Sequence, residues 1–357
     1  MRLSLRKKIS GSAAVALIVV GSVVAWLAYS AAMSQMENNI RSQVKGISGT
    51  FSQYVSDWFS SKGRALESFP GEALAEDYVT HLNQVKRAAD VDNVFLGFEN
   101  GDLVNAKELV LPEGNNDPRI WSWYIHAKEQ PRQTVVEDPS VASATGKNVV
   151  SLGRVVRDGG GQVIGVIGAD VVLDSIVEQL RSISLPGNGS MFIAKRKGTV
   201  FAHSNQALLN AELDSISPEL TTGYLDQLLR GTDNINLLEV EGETYQVFAA
   251  EVPKSELVLV MMLNRDALVA PVHSSLTQQL MVILLLVVIS IVALNWLIGR
   301  LFVPLHRVSD ALREIASGGG DLTRRLPEAS NDEVGSLAHS FNQFVEHMHD
   351  LVEHIRL

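Results

Sequence analysis

The sequence predicts an α+β fold in which two tandem sheet-and-helix modules stand on a long N-terminal helix. Two transmembrane helices flank these modules in the sequence, and a helical coiled coil follows the second transmembrane helix. Three observations lead to this prediction. Two charge-free apolar stretches lie far apart in the chain, a strand–turn–strand pattern occurs twice between them, and heptads of apolar residues follow the second stretch.

The predicted membrane spans cover residues 9–33 and 280–301. Each contains a charge-free run of the roughly 20 apolar residues that a bilayer requires. Basic residues flank the spans at Arg2, Arg6, Lys7, Lys8, Arg300 and Arg307. By the positive-inside rule, both termini are cytoplasmic, and residues 1–8 form a short cytoplasmic tail. Residues 34–275 then lie on the outer side of an inner membrane, whose lipids surround the two spans. A cleaved signal peptide is the alternative for the first stretch, although its apolar run is about twice as long as the apolar core of a normal signal peptide.

Composition narrows the functional classes. The segment from Glu37 to Asp266 carries 31 acidic and 20 basic residues, which argues against nucleic acid as a partner. There is no cysteine, so disulfides and thiolate chemistry are excluded. The chain has no phosphate-binding loop and no nucleophile elbow, and the crowded His347, His349 and His354 do not share one helical face. We therefore expect neither an enzyme nor a cofactor nor a metal site.

A single apolar stripe continues from the first span. Its steps of three and four residues predict a helix of about 30 residues that stands up from the membrane as a stalk. The stripe either packs on the domain it supports or faces a second copy of the chain, and its length favours some dimer contact as well. Its members are Met33, Met36, Ile40, Val44, Ile47, Phe51, Val55 and Trp58.

The outer segment contains an internal repeat. Two strand pairs turn at Asn100-Gly101 and Lys197-Gly198 and align with each other without a gap. Two further strand pairs end at Asp170 and Asn264, at matching places in the two copies. Two similar modules, each an antiparallel sheet with packed helices, are the simplest account. The four strand pairs cover residues 94–104, 149–170, 191–201 and 245–264.

One segment carries a family resemblance. Asp117-Pro118-Arg119-Ile120-Trp121-Ser122-Trp123-Tyr124 resembles the Asp-Pro-Arg-x-Arg-x-Trp-Tyr segment of the double Cache (dCache) sensor domain of bacterial chemoreceptors, and Thr145-Gly146 and Ile167-Gly168-Ala169-Asp170 match later landmarks of that family. The stalk and the two PAS-like modules agree with it. The resemblance implies a dCache sensor domain over residues 34–275, with a membrane-distal module near residues 66–180 and a proximal module near residues 185–268.

The resemblance also implies a ligand site in the distal module. Amino-acid-binding members hold the carboxylate with an Arg and a Tyr, line the pocket with a Trp-Tyr pair, and bind the amine with an Asp at a strand end. Trp123, Tyr124 and Asp170 match that set, but Trp121 stands at the Arg position and Asn116 at the earlier Tyr position. The Tyr and Asp expected before the Thr-Gly landmark are Ser140 and Ala142. The carboxylate clamp is therefore missing, although Arg119 lies two residues from its place.

The remaining residues suit a cation, because aromatic faces attract positive charge and Asp170 would pair with it. The sequence thus predicts a small amine or a quaternary ammonium ligand in preference to an amino acid. The alternative is that Trp121 and Trp123 pack in the core of the module. In an extended segment these two side chains would point one way and Tyr124 the other, so all three line one pocket only if the backbone turns. The predicted ligand-binding residues are Trp121, Trp123, Tyr124, Asp170 and Arg119.

Residues 302–355 carry a second resemblance. Apolar steps of three and four residues define two short helices, joined by a polar, Gly-rich connector. Such helices need a second copy to bury their stripes, which predicts a homodimeric parallel bundle. The pattern resembles the HAMP signalling domain at Pro304 after the membrane and at the Asp332-Glu333-Val334-Gly335 motif. The stripes are Leu305, Val308, Leu312 and Ile315, then Val334, Leu337, Phe341, Phe344, Met348, Leu351 and Ile355.

Together the resemblances imply a methyl-accepting chemotaxis protein, a transmembrane receptor that senses a small outer solute. It would relay the signal through HAMP to a cytoplasmic chemotaxis kinase and its coupling protein. The alternatives are the sensor half of a histidine kinase or of a cyclic-dinucleotide (GGDEF-type) enzyme, and a stand-alone membrane binding protein. The heptads continue to Ile355, which favours a continuing coiled coil and hence the first reading.

Overall fold

The computed structural model describes residues 5–71, 77–107, 116–142, 146–231, 235–316, 325–327 and 333–355. The chain divides into two compact units. One comprises Ser34–Pro271, and the other combines Met1–Met33 with Val272–Leu357.

Helix α1, Leu5–Glu67, contains both the first apolar stretch and the predicted stalk. Within the outer unit its stripe faces inward, since Ile40, Val44, Phe51 and Val55 are all buried in one hydrophobic core with strands of the second sheet. These four positions of the stripe therefore pack on the domain that it supports.

The distal module follows α1. It consists of helix α2 (Tyr78–Ala89), strands β1 (Asn93–Phe98) and β2 (Leu103–Asn105), helix α3 (Ser122–Glu129), strands β3 (Val135–Val141), β4 (Asn148–Arg157) and β5 (Val163–Val172), and helix α4 (Asp174–Ser182). The sheet is antiparallel with the order β2-β1-β5-β4-β3. One face packs on α1 and α2 through residues such as Leu66, Leu82 and Leu96, and the other packs on α3.

The proximal module repeats this topology. It consists of strands β6 (Ser190–Lys195) and β7 (Val200–Ala202), helix α5 (Thr222–Leu229), and strands β8 (Leu237–Val240), β9 (Glu243–Glu251) and β10 (Leu257–Asn264). Its antiparallel order is β7-β6-β10-β9-β8. The predicted repeat of the two sheets is confirmed, and both predicted Gly turns have positive φ angles, 95° at Gly101 and 101° at Gly198. The predicted match of Asp170 with Asn264 is wrong, because β5 continues to Val172 and the sheet register aligns Asp170 with Met262. Such angles favour glycine because a Cβ would be strained there.

Strand β10 leads without a break into helix α6, Arg265–Ala316, which contains the second apolar stretch. Helix α7 covers Glu333–Ile355. Both α1 and α6 are long and apolar enough to cross a membrane. The side chain of Ile283 faces Gly21, where an added Cβ would lie 3.2 Å from it, so the two apolar stretches pack at this point.

The HAMP-like helices meet through a small core of Val308, Phe341 and Val345. Asn342 fixes the connector on α7, because its amide accepts a hydrogen bond from Leu326 N at 2.8 Å and donates one to Leu326 O at 2.9 Å. Of the predicted signalling residues, Pro304 lies within α6, Glu333 begins α7 and Gly335 is buried. Asp332 lies outside the described residues.

Candidate ligand-binding site

The candidate site lies on the face of the distal sheet that is turned away from the stalk. Side chains alternate along a strand, so Asn93, Phe95 and Gly97 of β1 share one face. This face packs against α3, because a Cβ added at Gly97 would lie 3.1 Å from the Trp123 ring. The other face, with Val94 and Leu96, is buried against the helices of the stalk side.

A row of polar side chains crosses this face where β1 begins. Asn93 is the register partner of Asp170 on β5, and Asp170 is the partner of Ser151 on β4. Ser151 Oγ donates a hydrogen bond to Asp170 Oδ1 at 2.7 Å. Asn93 Nδ2 donates to Asn105 Oδ1 at 3.1 Å. Three neighbouring strands thus present hydrogen-bonding groups at one place.

Asn93 is the most informative member of this row. Its side chain is only 3% exposed, and its Oδ1 has no hydrogen-bond partner among the residues that the structure describes. A buried acceptor without a donor costs about 1–3 kcal/mol, so native structures seldom leave one without a reason. An acceptor of this kind beside a carboxylate fits a ligand that brings N–H or O–H donors.

The Asp170 carboxyl has an unusual electrostatic environment. Burial raises its pKa from the ordinary value near 3.8 to about 6; the Asp92 charge adds to the rise, while the Ser151 hydrogen bond and the Lys107 charge oppose it. The carboxylate is therefore ionised at neutral pH at an energetic cost. A cationic group bound beside it would recover that cost, which is the pattern expected of a binding carboxylate.

Two lysines meet one carboxylate next to this row. Lys107 Nζ lies 3.1 Å from Asp92 Oδ2, and Lys147 Nζ lies 2.9 Å from Asp92 Oδ1. Burial pushes the Asp92 pKa up, but the hydrogen bonds from Lys147 and Lys107 outweigh it, so the pKa lies below its ordinary value. This end of the sheet therefore carries one more cation than Asp92 neutralises.

The predicted aromatic residues pack mainly against each other and the sheet. The backbone does turn at this segment, because Trp121 caps α3 and the next residues are helical. The Trp123 ring lies 4.8 Å from the Phe95 ring and 6.1 Å from the Trp121 ring, measured between centroids. Trp123 is 5% exposed and belongs to the core between α3 and the sheet, so most of its face is already covered.

Tyr124 and Arg119 lie at the opposite end of β1 from Asp170. Tyr124 Oη donates to Glu99 Oε1 at 2.8 Å, which together with burial raises the tyrosine pKa. Arg119 is held by Asp117 at 2.7 Å and by the Glu99 carbonyl at 3.1 Å. Glu99 follows the last residue of the six-residue strand β1, and such a strand spans about 20 Å. The structure thus brings together Trp121 with Trp123 and separates Asp170 from Arg119 and Tyr124.

Sequence reasoning missed Asn93, Asn105 and Ser151. Asn93 and Asp170 are far apart in sequence and meet only through the register of β1 with β5. The repeat offered a signal, since Asn93 starts the first strand of its module at the place where Ser190 starts the other. Both lysines also stand next to segments outside the described residues, at residues 108–115 and 143–145.

These features define a class: an inner-membrane sensor with a tandem sheet domain outside and a helical relay inside. The Cache domain family matches residues 31–272, and the HAMP domain matches residues 296–350. The chain therefore belongs to the Cache domain family, with a HAMP domain after its second apolar helix.

The curated relatives are methyl-accepting chemotaxis proteins. PscA of Pseudomonas syringae pv. tomato is 27% identical over 99% of this chain and 56% of its own length. McpA of Pseudomonas putida is 30% identical over 90% of this chain and 50% of its own. PctB of Pseudomonas aeruginosa is 27% identical over 84% of this chain and 47% of its own length. The chain thus spans about half the length of the curated relatives it matches.

Solved structures with the same fold are chemoreceptor ligand-binding domains. PctB of Pseudomonas aeruginosa in complex with L-Arg has a TM-score of 0.55 at 20% identity, over 64% of this chain and 97% of that one. CtaA of Pseudomonas fluorescens with L-serine has a TM-score of 0.54 at 20% identity, over 64% and 99%. PctC of Pseudomonas aeruginosa with GABA has a TM-score of 0.52 at 22% identity, over 62% of this chain and 99% of that one.

These neighbours correct the sequence-based ranking of ligands. A small amine or quaternary ammonium was expected ahead of an amino acid, whereas the neighbours are bound to L-Arg, L-serine and GABA. The physical reason lies in the aromatic residues. The expected cation cage needed open aromatic faces, but Trp123 is packed in the core and Tyr124 bonds to Glu99. A quaternary ammonium also has no N–H for the Asn93 acceptor.

Proposed function

We propose that this chain is the sensing and membrane-spanning part of a chemoreceptor that detects an amino acid outside the cell. The observation that carries the proposal is the buried Asn93 Oδ1, which has no hydrogen-bond partner in the described parts of the chain and lies opposite the ionised Asp170. Two acceptors on neighbouring strands suit the N–H groups of a ligand ammonium. Amino acids in the solved ligand complexes of the same fold support this class of ligand.

The signal would leave the domain through the proximal module. Asn264 ends β10, and its Oδ1 accepts a hydrogen bond from Ala267 N at 3.0 Å, which caps the start of α6. Arg265 begins that helix and pairs with Glu37 of the stalk, and its Nη1 also donates to Gln246 Oε1 at 2.8 Å. Gln246 Nε2 in turn donates to Glu37 Oε2 at 3.1 Å. This three-residue clasp joins the stalk, the proximal sheet and the exit helix, so a movement of the sheet would shift α6.

The relay would work by a change of helix packing and without catalysis. A ligand shifts such an equilibrium only by its different affinities for the two states. The HAMP helices favour a homodimer, since Leu312 on α6 and Leu337 and Phe344, seven residues apart on α7, are each more than 40% exposed in the single chain. A second copy would cover them in a parallel bundle. Chemotaxis kinase and coupling protein are the proposed partners of the full-length receptor.

The decisive experiment is a thermal-shift and calorimetric screen of the full chain in nanodiscs. The probes are L-serine, L-alanine, L-arginine and GABA, against succinate and glucose, which have no ammonium group. We expect at least one amino acid to bind and the other two solutes to be silent. Asp170→Asn should weaken that binding at least 100-fold, whereas the matched control Asp174→Asn, at an exposed position on α4, should not. Binding of succinate or glucose alone would refute the proposal.

A further inference from the structure

The proposed ligand leaves one charge to be matched. An amino acid brings a carboxylate as well as an ammonium, and the row Asn93–Asp170–Ser151 accounts only for the ammonium. Trp121 stands where the resembling sensors have an Arg, and Arg119 is held by Asp117 and Glu99 at the far end of β1. The carboxylate therefore needs another cation near Asn93.

The sheet register leads to Lys107. Phe95 of β1 is opposite Asn105 of β2, and Ala106 N continues the ladder by donating to Val94 O at 2.8 Å. Strand β2 ends at Asn105, and the same register carried two positions further would place Lys107 opposite Asn93, on the face of Asn93 and Asn105. This extension of the row would put a cation beside the Asn93 acceptor, which has no partner among the described residues.

The charge balance at Asp92 makes Lys107 available. Asp92 is paired with both lysines, so Lys147 alone can neutralise it when Lys107 turns to a ligand. The Lys107 side chain is 32% exposed, which leaves its ammonium accessible, and Asp92 is 10% exposed. The positive charge of Lys107 is also felt at Asp170, which supports its closeness to the row.

We propose that Lys107 binds the carboxylate of the amino acid whose ammonium lies between Asn93 Oδ1 and Asp170, and so replaces the carboxylate clamp that this chain lacks. This inference rests on the proposed function and adds a residue and a selectivity to it. The lysine makes the site selective for ligands that carry both charges, because an amine alone would leave Lys107 with Asp92. A single Lys provides a point charge and no fork, so a broad range of carboxylate positions is tolerated.

The test compares each amino acid with the amine that lacks only its carboxylate. The pairs are L-serine with ethanolamine, L-alanine with ethylamine, and L-arginine with agmatine, titrated by calorimetry into the full chain in nanodiscs. In the wild type we expect the bound amino acid to exceed its amine at least 30-fold in affinity. Lys107→Gln should reduce amino-acid affinity at least 10-fold and leave amine affinity within 2-fold. Lys107→Arg should restore most of the preference.

Lys128→Gln is the matched control, because it removes another lysine that is paired with a carboxylate, Glu99 at 2.7 Å, at the opposite end of β1. It should leave the preference for the amino acid within 2-fold. If the wild type binds an amino acid and Lys107→Gln binds it equally well, the role of Lys107 is refuted while the proposed function stands. The same conclusion follows if Lys128→Gln and Lys107→Gln have equal effects. If no amino acid binds the wild type, both proposals fall.

Discussion

The distal and proximal sheets share one topology, but the corresponding rows of side chains are polar in the distal sheet and mainly apolar in the proximal sheet. In each sheet, a row of paired side chains begins at the first residue of the first strand. The distal row is Asn93, Asp170 and Ser151, and the proximal row is Ser190, Met262 and Val247. Met262 and Val247 are buried in an apolar core that includes α5, whereas the distal row keeps a carboxylate and an unpartnered acceptor.

The contrast continues one row further along the strands. Phe95 is opposite Gly168 in the distal sheet, and Phe192 is opposite Val260 in the proximal sheet. In the distal sheet the glycine makes room for the Phe95 ring, which packs directly over it, whereas the Val260 side chain occupies the corresponding place in the proximal sheet. The difference indicates that the distal module keeps a polar site at a cost in stability. The proximal module instead has a well-packed apolar core and connects rigidly to α6.

The largest effect is expected from giving the proximal row the distal carboxylate. Met262→Asp would put an acid among Phe192, Leu225 and Val260, where its two register partners are Ser190 and the apolar Val247. We expect it to lower the free energy of unfolding by about 3–5 kcal/mol, the cost of an uncompensated buried charge. Urea denaturation followed by tryptophan fluorescence measures this. Met262→Leu is the control and should cost less than about 1.5 kcal/mol. A loss below about 1 kcal/mol for Met262→Asp would mean that water reaches this face of the proximal sheet.

The clasp that links the proximal sheet to the stalk is the second test. Arg265→Met leaves Glu37 charged, with its side chain only 16% exposed, and should cost about 2–4 kcal/mol. The double variant Glu37→Gln with Arg265→Met removes the stranded charge and should recover most of that loss. Thermal unfolding of the four proteins in a double-mutant cycle gives the coupling. Additive losses would show that the pair contributes nothing beyond its separate side chains.

Asp170 allows a pH test of the distal row. Its pKa of about 6 in the folded chain exceeds the ordinary value near 3.8, so the folded state holds the proton more tightly than the unfolded state. This stabilisation is complete below pH 3.8 and is lost as the pH rises to 6 and above. A rise of about two units corresponds to at most about 3 kcal/mol.

Without ligand, Asp170→Asn should therefore be more stable than the wild type at pH 7.5, by about 2 kcal/mol. The difference should shrink as the pH falls towards 4. Urea titrations at several pH values provide the measurement. Equal stability of the two proteins at pH 7.5 and pH 4 would contradict the raised pKa.

The sequence could predict the parts of the fold that depend on local periodicity. The stalk positions Ile40 to Val55, the Gly101 and Gly198 turns and the heptads around Phe341 all encode short-range geometry, and the structure confirms each. The segment around Trp123 was harder, because the same residues fit an extended strand or the start of a helix. The structure has the helix, which turns Trp123 into the core.

The candidate site depends on long-range register and could be predicted only in part. Asp170 was found through a family landmark, but its neighbours Asn93 and Ser151 carry no motif of their own. An Asn at a strand start reads equally well as a turn residue. Only its pairing with Asp170 and its burial without a donor make it informative. In the same way, Asn342 reads as an ordinary helix position until its bonds to Leu326 are seen.

The smallest effect tests Gly168, the glycine over which the Phe95 ring packs. A Cβ at position 168 would lie 2.2 Å from Phe95 Cε2, so Gly168→Ala must displace the Phe95 ring. We expect a loss of about 1–2 kcal/mol from overpacking, which thermal unfolding would detect. Adding Phe95→Leu should rescue Gly168→Ala, because the smaller side chain makes room. At the paired proximal position, Val260→Ala should also destabilise, but through a cavity, and Phe192→Leu would then deepen the loss. Opposite signs of coupling in the two cycles would establish that the distal pair has no room for an added methyl group whereas the proximal pair depends on side-chain volume, and equal signs would remove the distinction between them.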